Sequence, residues 1–61
     1  MNKHEQILDI LRKTHGPEID AMLVDEFREL CDHIVYYAKL FDVERAARLV
    51  QKDYFPEEVI T

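Results

Sequence analysis

Apolar positions in the central part of the chain recur at helical spacing, with Ile19, Leu23, Val24, Phe27, Leu30, Cys31, Ile34, Val35, Ala38 and Phe41 three or four residues apart. They predict one long amphipathic helix from Pro17 to Phe41, with Asp25, Arg28, Glu29, Asp32 and Lys39 on its solvated back. The apolar arc covers roughly 160° of the circumference, against about 100° for a helix facing a single core. Its 25 residues would extend about 37 Å. One short neighbour cannot cover such a surface. Flanking helices lie along it, or a second copy does.

The flanks carry narrower stripes. Residues 2–15 read as a first helix whose inner side is Ile7, Leu8 and Leu11. Gly16-Pro17 then punctuates the chain, since Gly suits a left-handed position after a helix and Pro a first helical position. Beyond Phe41, Asp42 has the side chain of an N-cap, and Val43, Ala46, Ala47, Val50 and Tyr54 form a third stripe over 43–54. An unbroken helix from Pro17 to Tyr54 is the alternative, because no breaking residue stands at Leu40-Phe41-Asp42-Val43. The Ala46-Ala47 pair permits close helix approach. Pro56 closes the third helix and begins a tail over 56–61. The expected architecture is all-α, one domain of three helices in the order short, long, short.

Sixty-one residues bury little surface, and a single cysteine cannot form an intramolecular disulfide. Homodimerisation is the remaining means of completing the bundle. Met22, Phe27, Leu30, Ile34, Tyr36, Tyr37 and Leu40 are the expected interface, the aromatic and Met residues among them being types enriched at protein contacts. Cys31 reads as an inert thiol on the apolar face. The polar N-terminus does not resemble a signal peptide, so a cytoplasmic location is expected.

The formal net charge of −5 opposes unaided binding to a phosphate backbone. One ordered cationic feature remains: Arg45, Arg48 and Lys52 share the outer side of the third helix, able to meet phosphates or an acidic partner surface. The acidic side of the central helix, Asp25, Glu26, Glu29 and Asp32, has the opposite sign.

Chemistry is sparsely represented. His4 and His15 fall on or beside the first helix's stripe but stand about 16 Å apart, too far to share an ion. Glu29, Asp32 and His33 lack the further ligands a tetrahedral site needs. No HExxH, CxxC or Gly-rich phosphate loop occurs, and the chain has no serine or tryptophan. No catalytic residue, metal or cofactor is therefore assigned.

Residues Tyr37 to Ala46 resemble the helix joint of a tetratricopeptide repeat, with Phe41 where that motif has its turn glycine. Ala46-Ala47-x-Leu49-Val50 followed by Pro56 is similar to the opening of a DNA-binding helix-turn-helix. Neither similarity covers enough of the chain to assign a family. The expected function is non-enzymatic: a small regulatory or adaptor protein acting through protein contacts as a homodimer. The alternative is a nucleic-acid-linked regulator using Arg45, Arg48 and Lys52.

Overall fold

The computed structural model describes residues 2–56 and contains three helices: α1, Lys3–Asp20; α2, Val24–Leu40; and α3, Val43–Tyr54. Each packs on the other two, and the molecule measures 34 × 28 × 18 Å. The all-α, three-helix expectation holds. The short-long-short order does not, because α1 has 18 residues, α2 17 and α3 12.

The difference arises at Gly16-Pro17, where a chain reversal was expected and the structure has a kink. Only His15 leaves helical geometry, at φ −133° and ψ 33°, and helix resumes through Gly16 and Pro17 to Asp20. Pro17 lacks an amide hydrogen, so it suits the first turn of that short resumed segment. Gly16 has no positive φ, which corrects the left-handed assignment. Its missing Cβ serves another purpose: it relieves the clash that a proline ring makes with a preceding helical residue. The Thr14 hydroxyl donates back to the carbonyls of Ile10 and Leu11 at 3.2 and 3.3 Å, an arrangement that also bends helices.

The true reversal occupies Ala21–Leu23. Ala21 and Met22 donate to the carbonyls of Pro17 and Ile19, closing α1, and Leu23 is extended at φ −70° and ψ 160°. Leu23 has no side-chain acceptor to cap α2. Its own amide instead donates to the Glu26 carboxylate at 3.1 Å, and Asp25 and Glu26 put negative charge at the positive end of the helix dipole. With the break here, Ile19 is buried at the end of α1.

The second reversal stands where expected. Phe41 is extended, and the Asp42 carboxylate accepts the Arg45 amide at 2.8 Å, so the unbroken alternative is excluded. α3 ends at Tyr54 before Phe55-Pro56. The tail expected beyond Pro56 lies outside the described residues.

Ile7, Leu11, Ile19, Leu30, Ile34, Ala38, Ala46, Ala47 and Val50 form the core. The buried alanines of α3 bring its backbone close to its neighbours. One tie is not visible in any hydrophobic pattern: Lys3 at the start of α1 donates its ammonium to the Ala38 carbonyl at 2.6 Å. That oxygen is among the last four of α2, which lack intrahelical donors and attract cations. Among the described residues, no helix is long and apolar enough to cross a membrane.

Candidate functional site

The seven residues expected at an interface separate into three groups. Leu30 and Ile34 are 0% and 2% exposed and belong to the chain's own core, which removes them from any contact surface. Met22, Phe27 and Tyr37 are half-buried and pack against that core. Tyr36 and Leu40 stand out, 59% and 57% exposed. Two residues assigned to the apolar face join them: Leu23 and Val24, 71% and 74% exposed, lie at the α1–α2 turn, beyond the reach of α1 and α3. The exposed apolar surface thus lies at both ends of α2 and not along its middle.

Aromatic and polar side chains link α2 to α3 beside Tyr36. The Tyr37 hydroxyl donates to the Asp53 carboxylate at 2.7 Å. The Tyr54 hydroxyl lies 2.6 Å from His33 Nδ1, which is also 2.9 Å from the Glu29 carbonyl. A hydrogen on Nδ1 would be shared between the two oxygens; a bare Nδ1 would accept from Tyr54 alone. The rings form a run in which Tyr54 meets His33 edge-on at 5.2 Å, His33 tilts on Tyr37 at 6.4 Å, and Tyr37 meets both Tyr36 and Phe41. The Arg45 guanidinium completes it, 5.9 Å above the Phe41 ring. Asp32, His33, Tyr36 and Tyr37 line an open cleft of about 370 Å³ on this side. The spacing of Tyr36 and Tyr37 marked them as surface candidates, but nothing local identified Asp53 or Tyr54 as their partners.

These contacts predict how the tyrosines titrate. The bond to Asp53, with burial and the Asp53 charge behind it, raises the Tyr37 phenol above its ordinary value of 10.0. Burial, and then the charges of Glu29, Asp53 and Asp32, raises Tyr54. Folding therefore favours both neutral phenols. Their stabilisation is complete below pH 10.0 and is lost as pH rises through the higher folded values. Tyrosinate absorbance should show two late-ionising groups, and Tyr37→Phe should remove one of them. If both groups titrate as in unfolded peptide, the α2–α3 link is absent in solution.

Arg45, Arg48 and Lys52 are all exposed, as expected. Among the described residues, no carboxylate lies within ion-pair distance of Arg48 or Lys52. These two, with Gln51, Phe55 and Pro56, line an open cleft of about 340 Å³. Its floor is held from α1: the His15 ring stacks on Phe55 at 4.6 Å, and His15 Nδ1 lies 2.8 Å from the Glu18 carboxylate. That bond is the main cause of a lowered Glu18 pKa. His15 thus does lie in the packing of α1, but against Phe55, just past the end of α3. His4 is exposed, which corrects its assignment to the packed stripe.

Cys31 is half-buried beside a small apolar groove between α1 and α2. Burial, and then the Asp32 charge, raises its thiol pKa, so the thiol stays protonated and weakly nucleophilic at neutral pH. Among the described residues, no three His, Cys, Asp or Glu side chains converge as metal ligands. Compared with known protein families, curated proteins and solved structures, the chain matches none.

Proposed function

We propose that the protein is a small, non-enzymatic regulatory or adaptor module of the cytoplasm that acts through protein contact and pairs with itself. One observation carries the reading: four large apolar side chains, Leu23, Val24, Tyr36 and Leu40, are more than half exposed on a chain with a small core. Apolar area left in water favours association, at about 25 cal/mol per Å² covered. The polar chemistry supports the same reading, since the tyrosine and histidine groups bond to one another and tie helices together.

Sedimentation equilibrium at micromolar concentration tests the proposal. A dimer is expected, and its thermal midpoint should rise with concentration. A monomer whose midpoint is independent of concentration would remove self-association from the reading. A second reading rests on Arg48 and Lys52, which have no ion-pair partner among the described residues and stand beside the Phe55 ring, suiting a phosphate and a base. Nucleic-acid binding of that kind falls steeply with salt. The net charge of −5 weighs against it.

A further inference from the structure

We propose that the α2/α3 side of the molecule receives a second copy of this chain as a two-fold pair, the acidic side of each α2 lying on the basic row of the partner's α3. The inference rests on the self-association reading above and names its surface.

Asp25, Glu29, Asp32, Tyr36 and Leu40 follow one another at spacings of four, three, four and four, so they share one side of α2. All five are exposed. Arg45, Arg48 and Lys52, spaced three and four apart, occupy the outer side of α3. Among the described residues, neither these carboxylates nor Arg48 and Lys52 have an ion-pair partner within the chain. One molecule therefore carries a mainly acidic row on α2, interrupted by Arg28 and Lys39, and a basic row on the neighbouring α3, with Tyr36 and Leu40 as apolar surface beside the acidic row.

Two-fold symmetry makes such a surface self-complementary, because every contact from one copy to the other is repeated in reverse. Placing α2 on α3 of the partner brings opposite charges together twice. Placing α2 on α2 about Glu29 would set the Asp25, Glu29 and Asp32 cluster against its copy, and like charges across an interface are strongly unfavourable. The surface is also fixed before association. The Tyr37–Asp53 and Tyr54–His33 contacts hold α2 to α3, and Arg45 is positioned over Phe41. Little order then has to be gained on binding. Salt alone does not test the pairing, because it screens both the contact charges and the repulsion between two chains of charge −5.

A charge exchange does test it. Sedimentation equilibrium would compare the wild-type chain with Glu29→Lys/Asp32→Lys, with Arg48→Glu/Lys52→Glu, and with all four substitutions together. The fourfold variant keeps the wild-type net charge. Each double reversal should weaken the dimer about tenfold or more, and the fourfold variant should restore it. Circular dichroism confirms that each variant folds. If a reversal does not fold, Glu29→Gln/Asp32→Asn and Arg48→Gln/Lys52→Gln replace the pairs, with weaker dimers expected from each. A dimer indifferent to the substitutions, or not restored by the exchange, overturns the proposed surface while leaving self-association standing. A wild-type monomer overturns both. If that monomer retains a fluorescein-labelled single-stranded oligonucleotide through Arg48 and Lys52, the occupant of the row is nucleic acid.

Discussion

Leu30→Ala will unfold much of the chain, and will do so at every protein concentration. Leu30 is fully buried in the middle of α2, within the core shared by all three helices. Truncating such a leucine removes its transfer free energy and leaves a cavity, together costing about 2–5 kcal/mol. At roughly 0.05–0.15 kcal/mol per residue, a domain of this size has about 3–9 kcal/mol in total. The loss is therefore comparable with the whole stability. Thermal denaturation by circular dichroism over a hundredfold dilution series separates this core role from the interface role suggested by the pattern alone. A core residue shifts the midpoint at all dilutions, whereas an interface residue shifts it only where wild type is associated. A change of less than 1 kcal/mol at the lowest concentration would place Leu30 outside the core.

Ala46→Leu should have the next largest effect, from the opposite cause. Ala46 is fully buried and its neighbour Ala47 nearly so, and this small-residue surface brings α3 close to the other helices. Adding three carbons to a packed interior forces side chains off their rotamers or moves backbones, at about 1–3 kcal/mol. For a domain this small, each kcal/mol lowers the midpoint by about 4–8 °C. The exposed substitution Arg48→Leu on the same helix is the control, expected within about 0.5 kcal/mol of wild type. If Ala46→Leu is equally silent, α3 does not dock through its alanines.

Both predictions use a core whose residues were largely apparent in the hydrophobic pattern. The candidate surface was less apparent, and the reason is visible residue by residue. Tyr36 and Leu40 fall at the edge of the α2 stripe, so their exposure follows from spacing. Leu23 and Val24 continue the stripe numerically and are nevertheless exposed, because periodicity describes one helix and not how far its neighbours reach. The reverse holds for His15: a polar residue beside the kink becomes packed because Phe55, forty positions later, stacks against it.

Local sequence by itself determined the helical class, the Phe41-Asp42 reversal with its aspartate cap, the inner stripe of α3 and the exposure of Arg45, Arg48 and Lys52. Each depends on interactions within one or two turns, a carboxylate reaching a nearby amide or a run of side chains on one side of a helix. Only the tertiary structure decided that Gly16-Pro17 bends a helix instead of ending it, and that the chain turns at Ala21–Leu23, where no glycine or proline stands. Proline at that position is compatible with a kink or a new helix start. With the turn five residues later, Ile19 belongs to the same core as Leu30 and Ile34, a burial that exists only once α2 and α3 are in place.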